Sequence, residues 1–120
     1  KAGAIPPLVE LVRTGEPDEK LSAVSALGNL ARKNTDNQNA IAKAGAIPPL
    51  VELVRTGEPD EKLHAASALG NLAHENPNNQ NASAEAGAIP LLVDLADTEE
   101  SVKDSVQRAI EKIDPNLRVI

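Results

Sequence analysis

Cysteine, methionine, phenylalanine, tryptophan and tyrosine are all missing from the 120 residues. Without thiols there is neither a disulfide framework nor a thiolate metal site, and the redox compartment stays open. Without aromatics or methionine, every core contact must come from Leu, Ile, Val and Ala, short side chains that suit closely spaced helices. No apolar run approaches the roughly 20 residues that span a bilayer. The opening stretch from Lys1 to Pro7 does not resemble a signal peptide. Strict alternation of apolar and polar residues, the mark of a half-buried strand, is absent throughout. Net positive charge is lacking too: the formal charge is −6. That argues against a nucleic acid or an anionic membrane as partner, since either needs a positive field.

What is present is a chain that should fold, with 41% hydrophobic and 25% charged residues. The length predicts one domain, 1–120. KAGAIPPLVELVRTGEPDEK starts at Lys1 and recurs unchanged at Lys43, a period of 42 residues. The segments 1–42 and 43–84 differ at seven positions: Ser22/His64, Val24/Ala66, Arg32/His74, Lys33/Glu75, Thr35/Pro77, Asp36/Asn78 and Ile41/Ser83. Either the duplication is recent or the array is engineered. A third copy opens with EAGAIPLLVDL at Glu85 and drifts into a shorter, more charged version over 85–120. The last unit of a stack has no neighbour on one side, so a polar outer surface predicts a C-terminal cap.

Helix punctuation within a unit is legible. A short first helix over Asn37 to Ala44 is closed by Gly45, since glycine takes up the left-handed backbone that ends a helix. A second begins at Pro48 and Pro49 and runs to Gly57, burying Leu50, Leu53 and Val54. The third and longest starts at Pro59, with Asp60 and Glu61 against the positive end of its dipole, and is expected to run to about Asn76. Its apolar stripe is Leu63, Ala66, Leu69, Leu72 and Ala73. Three helices in about 42 residues match armadillo or HEAT units and exclude the shorter tetratricopeptide and ankyrin units. The residues favour the first, because AGAIPPLVELVRTG followed by SALGNLA (Ser25 to Ala31, Ser67 to Ala73) closely resembles armadillo repeats. The resemblance covers essentially the whole chain. It implies an all-α, right-handed α-solenoid of about three armadillo repeats, the first lacking its short first helix.

Catalytic and metal chemistry find no support. His64 and His74 are the only histidines. At ten residues' separation on a helix they lie about 15 Å apart, too far to share a metal. The carboxylates Glu16, Asp18 and Glu19, and again Glu58, Asp60 and Glu61, sit at helix starts, where capping accounts for them. No twelve-residue calcium loop and no phosphate-cradling glycine motif occurs, and no cofactor is implied.

A recognition surface is better supported. On the long helix, the polar positions Ser22, Ser25, Asn29 and Arg32/Lys33 are spaced by three or four residues and form one stripe. The second unit repeats it as His64, Ser67, Asn71 and His74/Glu75. With one residue deleted before the last long helix, Ser105, Arg108 and Lys112 continue it. Asparagine is a mediocre helix former, and a mid-helix Asn has both an amide donor and an acceptor to satisfy. Either a bound main chain or water and neighbouring turns could do so. Armadillo proteins such as importin alpha and beta-catenin line a concave groove with their third helices. There an Asn at the position of Asn29 and Asn71 holds the ligand main chain, and the resemblance implies that role here. Importin-like repeats place Trp four residues earlier, where this chain has Ser25 and Ser67, so a basic nuclear-localisation peptide is not the expected ligand. Arg32, Lys33, Arg108 and Lys112, against Glu75, favour an acidic or neutral segment. Gly28 and Gly70, beside the two Asn residues, are assigned to close helix packing.

The expected function is therefore non-catalytic binding of an extended polypeptide. Two asparagine rungs and no aromatic anchor imply weak, roughly micromolar affinity. The alternative is a self-associating or engineered scaffold with no dedicated ligand. The opening unit keeps the apolar set of the internal one. Ile5, Leu8, Leu11, Val12 and Val24 are accordingly expected to form a self-association surface, pairing two N-terminal ends into a homodimer.

Overall fold

Prolines and short breaks divide the chain into eight helices among the residues that the computed structural model describes, 2–116. After a 3₁₀ turn at Ala2–Ala4 come α1 (Ile5–Thr14), α2 (Pro17–Ala31), α3 (Thr35–Lys43), α4 (Ile47–Thr56), α5 (Pro59–Ala73), α6 (Pro77–Glu85) and α7 (Ala88–Thr98). A 3₁₀ turn at Glu100–Val102 then leads into α8 (Lys103–Ile113). The long helices stack side by side in the order α2, α5, α8; α1, α4 and α7 form a second row, and α3 meets α6. The result is an α-solenoid. Leu117, Val119 and Ile120, expected from the sequence to fold back or meet a neighbour, lie outside the described residues.

Local chemistry sets the boundaries. Prolines at 17, 59 and 77 begin their helices, where no backbone N–H is needed. Glu19 Oε1 accepts from the Glu16 N–H at 2.9 Å and Glu61 Oε1 from that of Glu58 at 2.8 Å, so these carboxylates are capping groups. Gly45 does take up the left-handed backbone, φ +89°. The expected end of the longest helix needs correction. It stops at Ala73 rather than near Asn76, because His74 is extended and Glu75 is left-handed at φ 52°. Asn76 instead caps α6, its Oδ1 accepting from the Asn79 N–H. In the same way Asn34 caps α3, which starts at Thr35 rather than Asn37.

Leu27, Ile41, Leu50, Leu69, Leu72, Leu92 and Ile110 anchor one continuous aliphatic core. Ile5, Val12 and Val24 belong to it, which corrects most of the self-association surface read from the sequence. The inward faces of the first two helices bury these three within the chain, so only Leu8, half-buried, and Leu11, 36% exposed, are accessible. Ser83 stands where the preceding unit has Ile41; both are fully buried, and among the described residues the Ser83 hydroxyl has no hydrogen-bond partner.

A buried polar seam joins the first unit to the second. A helix leaves its last four carbonyls unpaired, and asparagine and glutamine side chains take up most of them here. Asn37 Nδ2 donates to Leu30 O at 2.7 Å, Asn79 Nδ2 to Leu72 O at 2.9 Å, and Gln80 Nε2 to Ala73 O at 3.1 Å. Gln38, 1% exposed, reaches across the repeat boundary and donates to Asn71 O at 2.8 Å and His74 O at 3.2 Å. Its own Oε1 accepts from Asn76 Nδ2 at 3.0 Å. These bonds fix α2 and α5 in register, and with them the polar stripe they carry.

Candidate functional site

The stripe on α2, α5 and α8 becomes two adjoining clefts. One, of about 110 Å³, lies between α5 and α8, where Ser67, Asn71, Ser105, Arg108 and Lys112 meet over Gly70 and Ala109. The other gathers Arg32, Lys33, Asn71, His74 and Lys112 from all three long helices or their C-terminal turns. Ser22, Ser25, Asn29 and His64, also read as candidates, line neither cleft. Ser22 and Asn29 stand exposed on α2, Ser25 is half-buried, and the His64 ring Nδ1 lies 2.8 Å from the Asp60 carbonyl.

Glycine lets the helices approach. A Cβ on Gly28 would stand 3.6 Å from Ala68 Cα, and one on Gly70 only 3.1 Å from Ala109 Cα. The packing assignment therefore holds for Gly70, where a Cβ would crowd α8; at Gly28 a Cβ would make only ordinary van der Waals contact. The matched pairs Gly28/Ala68 and Gly70/Ala109 also support the deletion that aligns Lys112 with Asn71.

Asn71 lines both clefts, as Lys112 does, and has a structural duty of its own. Its Nδ2 donates to the Gly28 carbonyl at 3.1 Å, one of the orphan carbonyls of α2. Among the described residues, no protein group takes its second N–H or its Oδ1. The side chain is thus held in one orientation, with a donor and an acceptor directed outward. Gln38 and Asn71 both satisfy ends of the preceding or following long helix, a role that a one-dimensional pattern does not reveal.

Charge is distributed unevenly. Arg32, Lys33, Arg108 and Lys112 make no ion pair among the described residues, whereas Arg13 pairs with Glu10 on α1, Arg55 pairs with Glu52 on α4, and the His74 ring lies 3.9 Å from the Glu75 carboxylate. Among the described residues, no carboxylate lines either cleft. His74, placed by the sequence in the polar stripe in register with Arg32, lines the second cleft. Lys33 takes the left-handed backbone at φ 51°, as Glu75 does one repeat later, so the chain turns sharply directly after each long helix. Among the described residues, no group of three or more His, Cys, Asp or Glu side chains could hold a metal ion.

A sequence profile for the Armadillo/beta-catenin-like repeat matches residues 1–32 and 34–74, more than half of the chain. The chain belongs to the armadillo-repeat family. The matched segments comprise α1 with α2 and then α3 to α5, each ending on a long helix. No curated protein matches the chain. Among solved structures, computationally designed armadillo repeat proteins for modular peptide recognition align with a TM-score of 0.84 and 32% identity, over 92% of this chain and 47% of theirs. A designed armadillo repeat protein in complex with the peptide (KR)4 aligns with a TM-score of 0.85 and 32% identity, over 93% of this chain and 47% of that one. An engineered protein aligns with a TM-score of 0.88 and 33% identity, over 95% and 48%. This armadillo chain spans about half the length of these structures. Its near-identical first two units make it, like them, an engineered-type array.

Proposed function

We propose that this armadillo chain is a non-catalytic module that binds an extended polypeptide along the groove of α2, α5 and α8, with a preference for acidic or neutral segments. The observation that carries this is Asn71. It is oriented by its bond to Gly28 and offers one N–H and one carbonyl oxygen to a passing main chain. A strand-like peptide presents the same pair of groups on one edge, so a pre-oriented asparagine meets it without further loss of side-chain entropy. Asn29, exposed one repeat earlier, supplies a second rung without such fixation.

Charge supports the choice of partner. The designed neighbour seen with (KR)4 indicates a peptide as the kind of ligand. In the present groove, four cations without ion-pair partners among the described residues would repel a chain of Lys and Arg and attract carboxylates.

Fluorescence anisotropy of two labelled twelve-residue peptides, one of alternating Glu and Ala and one of alternating Lys and Arg, tests the proposal. The acidic peptide should bind at roughly micromolar concentration, the basic one far more weakly, and Asn71→Ala should weaken the acidic complex about 5- to 30-fold. Failure of both peptides to bind a folded chain would favour a scaffold without a ligand. Tighter binding of the basic peptide would reverse the charge assignment.

A further inference from the structure

We propose that the cleft among Arg32, Lys33, Asn71, His74 and Lys112 is a subsite for a phosphorylated side chain carried by the extended ligand. The inference rests on the groove reading above and assigns one position within it. Arg32 and Lys33 follow α2, His74 follows α5, and Lys112 lies in the last turn of α8, so residues from three successive long helices or their C-terminal turns line one cleft. In a chain of net charge −6, the described lining of that place holds three fixed positive charges and no carboxylate, with Glu75 beside it against His74.

The nearest alternative is that these cations merely offset the negative ends of α2 and α5. That duty is largely met by other groups. Gly28 O takes an N–H from Asn71, Leu30 O one from Asn37, Asn71 O one from Gln38, and Leu72 O one from Asn79. Arg32, Lys33 and Lys112 are left without an ion-pair partner among the described residues.

The donor set selects the anion. A carboxylate brings one charge and two oxygens, and would leave two cations unmatched. A phosphoryl group brings nearly two charges and three acceptor oxygens. Those oxygens match a guanidinium fork, two ammonium groups and the free Asn71 N–H. A nucleic acid brings one phosphate per nucleotide and needs a positive track along its length, with aromatic platforms for its bases. The net charge is negative and the chain has no aromatic residue. A single phosphoryl group on an otherwise acidic or neutral peptide is the ligand that fits.

The probes are three labelled twelve-residue peptides of alternating Glu and Ala that differ only at one central residue: Ser, Glu or phosphoserine. Anisotropy in ~0.1 M salt should show the phosphoserine peptide binding at least about tenfold more tightly than the other two. In the double variant Arg32→Gln, Lys112→Gln, checked for fold by far-ultraviolet circular dichroism, the three affinities should converge to within about twofold. A phosphoserine peptide no tighter than the Glu peptide would overturn the subsite and leave the groove reading standing, and so would an advantage that survives in the double variant. Competition by an oligothymidylate as effective as that of the phosphopeptide would overturn it in favour of a general polyanion surface. Absence of binding by all three peptides would remove the groove reading and the subsite with it.

Discussion

Gly28 and Gly70 occupy the same position of successive repeats, yet alanine should act on them in opposite directions. Each lies inside a long helix, where replacing glycine by alanine gains up to about 1 kcal/mol from helix propensity. The space available differs. A Cβ on Gly28 would meet Ala68 Cα and Cβ at 3.6 Å and Asn71 Nδ2 at 3.7 Å, ordinary van der Waals contact. On Gly70 it would meet Ala109 Cα at 3.1 Å and Cβ at 3.2 Å. The first of those atoms is backbone, so relief requires α8 to move away from α5, and overpacking of this kind costs about 1–3 kcal/mol. Gly28→Ala should therefore stabilise by about 0.5–1 kcal/mol. Gly70→Ala should be neutral to destabilising, by up to about 2 kcal/mol. Urea unfolding followed by circular dichroism at about 222 nm suits a chain without Trp or Tyr, and a shift of midpoint at constant slope reports the change. Stabilisation of both variants by the same amount would refute the argument that α8 packs closer to α5 than α5 does to α2.

Other perturbations bear on the seam and the last unit. Ser83→Ala removes a fully buried hydroxyl without a partner, and should raise stability by about 1 kcal/mol in the same urea assay. Gln38→Ala breaks bonds to two carbonyls of the following unit and leaves Asn76 Nδ2 with Asn39 Oδ1 alone, so a loss of about 2–3 kcal/mol is expected, with faster amide exchange at the α2–α5 boundary. Deleting 99–120 exposes the α5 surface that α8 covers; light scattering should detect aggregation, and a monomeric, cooperatively melting truncation would contradict a capping role for the third unit.

The period, the proline starts and the packing role of Gly70 were legible because each is a local or repetitive signal; the same reading of Gly28 was not matched by the space around it. The asparagine-rich connections were not. Asn34, Asn37, Gln38, Asn76 and Asn79 resemble solvated loop and helix-start residues along the sequence. Gln38 and Asn79 become buried only because the second unit stacks on the first and brings unpaired carbonyls over them. The same limit explains Ile5, Val12 and Val24. Periodicity identifies them as apolar but does not say whether the chain's own helices or a second copy will cover them. At the groove, register alone placed Asn71, Lys33, Arg108 and Lys112 on one face. It missed that Asn71 is anchored by Gly28, and it spread the site over Ser22 and His64, which the stacking leaves outside the clefts.

The central claim, that a polypeptide lies along α2, α5 and α8, is tested most directly by two-dimensional ¹H–¹⁵N spectra of labelled protein titrated with the Glu–Ala peptide. Saturable shifts concentrated at Arg32, Lys33, Asn71, His74, Arg108 and Lys112 are expected, including the Asn71 side-chain amide, with α1, α4 and α7 unmoved. Shifts confined to α1, α4 and α7, or a spectrum unchanged at millimolar peptide, would contradict it.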